Sequence, residues 1–167
     1  KEYLDFATDL AKKAGSILMQ RKGTAEIKVR KEVRFDFATN VDLESEKLII
    51  KGIKKYYPGH LILAEESAYK EYEGQMSRYD FLKTKEWVWI IDPLDGTNNF
   101  LNGLDYYGVC ISLAHYGETV VGVVIRPTNG ECFYAIQGKG TRSIKFSSDF
   151  RKKTPPKKIL RASILIK

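Results

Sequence analysis

The segment W-V-W-I-I-D-P-L-D-G-T, residues 87–97, places the strongest constraint on this chain. Its five apolar residues predict a buried strand, and that strand ends on Asp92. Asp95 follows three residues later, and no lysine or arginine occurs between Trp87 and Phe100 to neutralise the two acids. Because an uncompensated carboxylate is unfavourable at the edge of an apolar sheet, the segment indicates a hard cation held by oxygen ligands.

A second acidic pair, Glu65-Glu66, ends the short apolar strand H-L-I-L-A. Neighbouring strands of a sheet lie about 4.8 Å apart, so acids at adjacent strand ends can converge on one ion. Pro93 fixes the bend between the two aspartates, and Gly96-Thr97 begins a short helix whose amide groups could hold a phosphate. Metal ions held by carboxylates, beside such amides, are the groups that metal-assisted hydrolysis of a phosphate ester uses.

Spacing argues against two other interpretations of these acids. An EF-hand loop beginning at Asp92 needs ligands at its positions 3 and 12, where this chain has Leu94 and Gly103. A phospho-aspartate motif of the D-x-D-G-T type needs its aspartates two residues apart, and here they are three apart. The remaining alternative is that the acids only cap turns, which suits either pair alone better than both pairs together.

The net charge of +7 comes from one end of the chain. Seven of the 28 Lys and Arg lie in residues 150–167, which contain no acid, and the other 21 balance the 21 Asp and Glu. This distribution does not indicate a nucleic-acid partner, and binding through the basic tail is the least favoured hypothesis. No apolar run approaches the roughly 20 residues of a membrane span, so we expect a cytoplasmic protein without a membrane partner.

The periodicity of apolar residues predicts an α+β fold. Two amphipathic helices are predicted, one over residues 2–21 and one that opens at Asp42. An antiparallel meander is predicted for three later segments, residues 107–116, 119–126 and 131–137. We divide the chain into an α+β metal-binding domain (1–150), a basic linker (151–158) and the first strand of a further domain (159–167).

Several side chains are expected to be structural. Cys110 and Cys132 lie inside predicted strands and are expected to be free thiols. His60 and His115 fit structural better than catalytic roles. Residues 26–34 alternate apolar and charged side chains, which predicts a short exposed hairpin or a mobile basic loop.

The order of these motifs resembles the inositol monophosphatase family of magnesium-dependent, lithium-sensitive phosphatases. D-P-L-D-G-T resembles its hallmark D-P-[IL]-D-G-T, A-E-E-S resembles G-E-E-S, and T-N-V-D-L-E-S-E resembles T-x-x-D-x-x-x-E. The likeness continues through the hairpin G-V-V-I-R-P-T-N-G-E and the glycine-bearing loop G-K-G, and covers about residues 2–145. It implies the layered α/β sandwich of the inositol monophosphatase and fructose-1,6-bisphosphatase type. The chain resembles its N-terminal half, in which two long helices pack on a largely antiparallel sheet.

The resemblance also implies roles for individual residues. The ligands of two or three Mg²⁺ ions would be Glu65, Asp92, the Leu94 carbonyl, Asp95 and Asp42. The groups that activate the attacking water would be Glu65, Thr97 and Asp42. The groups that bind the substrate phosphate would be Asp95 and the backbone amides of Gly96 and Thr97. Glu66 would support the metal ligands, and Lys31 would lie on a mobile loop near the metals.

The implied activity is Mg²⁺-dependent hydrolysis of inositol monophosphate or a related sugar phosphate by direct attack of metal-activated water. The N-N-F that follows Thr97 resembles the branch that acts on sugar or polyol monophosphates, and a homodimer is implied for the full-length protein. Fructose-1,6-bisphosphatase activity, 3′(2′),5′-bisphosphate nucleotidase activity and a catalytically inactive metal-binding half-domain remain as alternatives. Family members are considerably longer and carry a further metal-binding aspartate in a W-D-x-A-A-type motif, which these residues lack. The isolated chain of 167 residues could therefore be inactive.

Overall fold

The first helix has the predicted bounds. The computed structural model describes residues 1–30, 37–68, 78–146 and 157–158, and in it α1 spans Glu2–Arg21. Its buried side chains recur at helical spacing: Ala7, Leu10, Ala11, Ala14 and Leu18. The apolar pattern alone therefore located this helix, because three- and four-residue spacing places one stripe of side chains on the core.

Helix α2 spans Asn40–Tyr56 and begins two residues before the predicted start at Asp42. Thr39 is the N-cap, and its hydroxyl accepts hydrogen bonds from the backbone N–H groups of Val41 and Asp42. The Asp42 carboxylate in turn accepts from the N–H of Thr39 at 2.9 Å. This reciprocal capping box satisfies amides that have no partner within the helix, and it makes Asp42 the third helical residue rather than the first.

A seven-stranded sheet forms the second layer. Its strands, in spatial as well as chain order, are β3 (Leu61–Ala64), β4 (Trp87–Asp95), β5 (Gly108–His115), β6 (Glu118–Arg126), β7 (Glu131–Ile136), β8 (Gly140–Lys145) and β9 (Lys157–Lys158). Strands β3 and β4 are parallel, and every other neighbouring pair is antiparallel. The predicted meander is confirmed as β5, β6 and β7, whereas β8 lies where the sequence indicated only a glycine-bearing loop.

The remaining elements are short. Strands β1 (Ile27–Arg30) and β2 (Phe37–Thr39) pair antiparallel, as expected for the hairpin interpretation of this region. Three further helices are α3 (Glu65–Ala68), α4 (Arg78–Lys83) and α5 (Thr97–Leu101). At the end of the predicted linker, β9 pairs with β8; the rest of that linker and the predicted strand 159–167 lie outside the described residues.

Helices α1 and α2 pack together and against the sheet, which confirms the predicted α+β class. Fully buried side chains between the layers include Leu18, Ile49, Ile53, Trp89, Leu113 and Ile125. Burying a side chain of this size contributes about 1.5–3 kcal/mol. Cys110 and Cys132 are free thiols, as predicted. Within the described ranges, no helix has both the length and the apolar character that crossing a membrane requires.

Candidate active site

Two acid-bearing strand ends meet at one edge of the sheet. Parallel pairing places Ala64, the last residue of β3, opposite Ile91 of β4. The next residues along the two strands are Glu65 and Asp92, and their side chains are hydrogen-bonded to each other. The sequence predicted this convergence, and the parallel register is what produces it.

The carboxyl group of Asp92 keeps its proton beside Glu65. Burial, followed by the negative charges of Glu65 and Asp95, raises the pKa of Asp92 to about 8. A carboxylic acid that keeps its proton near neutral pH is surrounded by excess negative charge. A bound cation is therefore favourable at the same position. Since residues 87–100 contain no Lys or Arg, and the donors here are oxygens, the chemistry of this pair suits a hard divalent cation.

The complete set of predicted side-chain ligands is not brought together. Among the described residues, no group of three or more His, Cys, Asp or Glu side chains is arranged to hold a metal ion. Glu65 and Asp92 form a pair, Asp95 is exposed, and Asp42 is buried with other partners. Closely spaced carboxylates repel one another unless a proton or a cation lies between them.

Strand β4 continues past its predicted end at Asp92 to Asp95, and hydrogen bonds hold this last segment. The backbone N–H of Leu94 donates to Asp92 Oδ1 at 3.2 Å, and the Thr97 hydroxyl lies 3.0 Å from the Leu94 carbonyl. Gly96 has φ +85°, and a Cβ at this position would lie 2.8 Å from the carbonyl oxygen of Tyr106. Only glycine therefore fits where β4 leads into α5.

Asp42 connects α2 to the start of α5. Its side chain is buried, with 1% of the residue surface exposed. One carboxylate oxygen bonds the Thr39 hydroxyl and N–H, and the other lies 3.1 Å from the Thr97 hydroxyl. Burial raises the pKa of Asp42, and the hydrogen bonds from Thr39 and Thr97 oppose that rise. Asp42 and Thr97 are thus in contact, while the catalytic roles assigned to them stay predictions.

Two consecutive residues of α2, Ser45 and Glu46, were given no role from the sequence. The Ser45 hydroxyl donates to the Pro93 carbonyl at 2.9 Å, and the Glu46 carboxylate accepts from the Glu66 N–H at 2.9 Å. Both residues are buried, with 0% and 5% of their surface exposed. A polar pair on the buried side of an amphipathic helix was the available signal, because buried polar side chains need partners.

The remaining predicted residues are Glu66, Lys31 and Cys110. Glu66 is half-buried at the start of α3, and Lys31 lies outside the described residues. Cys110 pairs with Asp92 across β4 and β5, and burial and the nearby carboxylates raise the pKa of its thiol to about 12. This thiol is protonated at neutral pH and is a poor nucleophile.

The two histidines pack in an aromatic cluster. His60 Nδ1 accepts a hydrogen bond from Trp89 Nε1 at 3.1 Å, and His115 stacks on Trp87 with ring centroids 4.2 Å apart. These contacts are structural, in keeping with the prediction.

An apolar groove of about 530 Å³ borders the carboxyl pair. Val121 and Val123 of β6 are buried in the core, so the alternating residues Val120, Gly122 and Val124 point to the opposite face, and the groove lies along them. Its lining also includes Glu65 and Asp92. The volume is in the range of small-molecule sites.

Comparisons with known proteins agree on one family. A profile of the inositol monophosphatase family matches residues 1–165. The Nus factor SuhB of Vibrio cholerae is 40% identical over 140 residues, which cover 83% of this chain and 49% of that protein. The fructose-1,6-bisphosphatase/inositol-1-monophosphatase of Thermotoga maritima is 34% identical over 138 residues, which cover 82% of this chain and 48% of that protein.

Solved structures give the same result. The Thermotoga maritima IMPase superposes with a TM-score of 0.70 at 33% sequence identity, covering 84% of this chain and 50% of that one. The chain spans about half the length of the curated relatives it matches.

Proposed function

Because the chain belongs to the inositol monophosphatase family, as its motifs predicted, we propose that the whole protein is a Mg²⁺-dependent phosphomonoesterase. Its substrate is inositol monophosphate or a related sugar phosphate. The observation that carries the proposal is the hydrogen-bonded pair Glu65–Asp92, in which the pKa of Asp92 is raised and the segment around Asp92 has no basic side chain.

The metal ligands we propose are Glu65, Asp92, the Leu94 carbonyl, Asp95 and Asp42, for two or three Mg²⁺ ions. A bound divalent cation lowers the pKa of the attacking water and neutralises charge on the phosphate oxygens. The same cation would take the place of the proton that Asp92 holds beside Glu65. Glu66 and Lys31 would support this site from outside it.

Thr97 is proposed to orient the attacking water. Its hydroxyl has one proton, and both near oxygens, on Asp42 and Leu94, are acceptors. With that proton engaged, the Thr97 oxygen can only accept a hydrogen bond, so it turns the water lone pair towards the phosphorus. Glu65 is the proposed proton acceptor, and the carboxylate of Asp95 with the amides of Gly96 and Thr97 would bind the phosphate.

The substrate class is proposed from the N-N-F that follows Thr97, which resembles the family branch that acts on sugar or polyol monophosphates. Fructose 1,6-bisphosphate and 3′(2′),5′-bisphosphate nucleotides are the alternative substrates, and the Thermotoga relative carries both bisphosphatase and monophosphatase in its name. Lithium inhibition, a cytoplasmic location and a homodimer are further expectations for the whole protein.

The test is release of inorganic phosphate from inositol 1-phosphate and fructose 1,6-bisphosphate, with and without Mg²⁺, alongside calorimetric titration of Mg²⁺. Asp92→Asn should abolish turnover and Mg²⁺ binding, whereas the matched substitution Asp80→Asn in α4 should leave both unchanged. Activity that survives Asp92→Asn would refute the assignment. Mg²⁺ binding without turnover on any phosphomonoester would identify the inactive metal-binding half-domain instead.

A Nus-factor role is the second candidate. The curated relative with 40% identity bears that name, and α2 carries four lysines at helical spacing on one exposed side: Lys47, Lys51, Lys54 and Lys55. This candidate predicts salt-dependent binding of RNA that weakens when the four lysines are replaced by glutamine. It would revise the expectation that the chain has no nucleic-acid partner.

A further inference from the structure

Helix α2 reaches both acid-bearing strand ends through adjacent side chains. Ser45 donates to the Pro93 carbonyl, next to Asp92 in β4, and Glu46 accepts from the Glu66 N–H beside Glu65. The bond from Ser45 to Pro93 is buried, so it does not compete with bulk water, and the bond between Glu66 and Glu46 is partly buried.

The hydrogen bond from Ser45 to the Pro93 carbonyl orients a whole peptide unit. The Pro93 carbonyl and the Leu94 N–H belong to one peptide unit, which is planar. When Ser45 holds the carbonyl, the N–H on the opposite side of that plane is held as well. That N–H is the group that donates to Asp92 Oδ1 at 3.2 Å. The chain of contacts therefore runs from Ser45, through a rigid peptide plane, to the carboxyl group of Asp92.

A parallel argument applies to Glu46. The Glu66 N–H shares its peptide plane with the Glu65 carbonyl, so the bond from Glu46 fixes the start of α3 relative to α2. Hydrogen bonds from one helix, α2, therefore hold the backbone beside both carboxyl groups of the pair, in addition to the contact between the two groups themselves.

We propose that Ser45 is a positioning residue, which sets the orientation of the Asp92 carboxyl group towards Glu65 through the Pro93–Leu94 peptide. As a statement about metal binding, this rests on the proposed function. In this proposal, a single hydroxyl on α2 controls the distance between the two carboxyl groups that would take up Mg²⁺ and the direction in which they point.

The first measurement is the Mg²⁺ dissociation constant of the whole chain by calorimetry. Ser45→Ala removes the hydroxyl and is expected to raise the constant about 10-fold, the effect typical of groups that orient metal ligands. Ser16→Ala is the matched control, because the Ser16 hydroxyl also donates to a backbone carbonyl, that of Lys12 at 2.9 Å, on a helix away from the site. An equal constant for Ser45→Ala and Ser16→Ala would overturn the proposal.

The second measurement needs no metal. In chelator-treated protein, the Leu94 amide should exchange its hydrogen about 10-fold faster in Ser45→Ala than in Ser16→Ala, while amides of the β5–β6 core keep the same rates in both. Faster exchange at Leu94 in a whole protein that binds no Mg²⁺ would remove the proposed function and keep the positioning role. Unchanged exchange at Leu94 would overturn the positioning role even if Mg²⁺ binds.

If Ser45→Ala fails to fold, Ser45→Cys replaces it, since cysteine keeps the shape of the side chain with a larger atom and a weaker donor. Its dissociation constant and exchange rate should then depart from those of the unmodified chain in the same directions by smaller factors. A cysteine variant identical to the unmodified chain in both measurements would again overturn the proposal.

Discussion

The hydroxyl of Thr97 lies 3.1 Å from Oδ1 of Asp42, although the two residues are 55 positions apart in the chain. Each belongs to the start of a helix, Thr97 to α5 and Asp42 to α2. The contact therefore joins the starts of two helices beside the carboxyl pair Glu65–Asp92.

Thr97→Val should lower the rate of phosphate release in the whole enzyme by about 100-fold, because it deletes the only hydroxyl proposed to orient the water. Thr97→Ser keeps the hydroxyl and should retain most of the rate. Steady-state kinetics at saturating Mg²⁺ compares them. Equal rates for the valine and serine variants would show that the hydroxyl does not act in the reaction.

Gly96→Ala should destabilise the chain more than Gly103→Ala does. Both glycines have positive φ, which penalises alanine by about 1–2 kcal/mol. Only at Gly96 would the new Cβ also meet a backbone oxygen, that of Tyr106, whereas nothing lies within 4 Å at Gly103. We expect a total loss of about 3 kcal/mol at Gly96. Urea denaturation of the two variants measures the difference, and equal losses would contradict the close approach.

Asp92→Asn should change how stability depends on pH in chelator-treated protein. The folded chain holds a proton on Asp92 up to a pKa of about 8, whereas the ordinary value is 3.8. The free energy of unfolding therefore falls as pH rises between these values, because the unfolded chain has already released the proton. The uncharged amide of Asn should flatten that slope.

Urea denaturation across this pH range, with Asp80→Asn as control, tests the Asp92 prediction. If the slope persists in Asp92→Asn, or disappears in the control, then a group other than Asp92 causes the pH dependence of the unfolding free energy. Addition of Mg²⁺ should stabilise the unmodified chain and not Asp92→Asn.

His60 should make the fold less stable at mildly acidic pH. Burial lowers its pKa, and its Nδ1 accepts from Trp89, which requires the unprotonated ring nitrogen. The unfolded chain takes up the proton first as pH falls below the ordinary value of 6.5, so the free energy of unfolding decreases there and is fully retained above it.

His60→Asn should remove this acid sensitivity, because the amide oxygen can accept from Trp89 without titrating. His115→Asn serves as the control and should retain it. Unfolding followed by tryptophan fluorescence between about pH 7.5 and about pH 5 measures both variants. A wild-type slope in His60→Asn would show that another group causes the sensitivity.

Local patterns predicted the elements whose signal lies within one segment. The bounds of α1 and the strands β5 to β7 follow from the spacing of apolar residues over a few turns or one strand. Strand β8 was missed because G-T-R-S-I-K has few apolar residues, and its pairing with β7 supplies what its sequence lacks. The start of α2 was placed two residues late because it depends on the Thr39 side chain folding back on the helix.

The order of residues specifies the chemistry available to this protein: acids that follow two apolar runs, a proline between Asp92 and Asp95, and a glycine before Thr97. Tertiary structure decided which of these groups touch. Glu65 meets Asp92 because β3 and β4 are parallel and in register, and Ser45 meets Pro93 across 48 residues because α2 packs on β4. Such contacts depend on the relative placement of distant segments, which residue spacing along the chain does not specify.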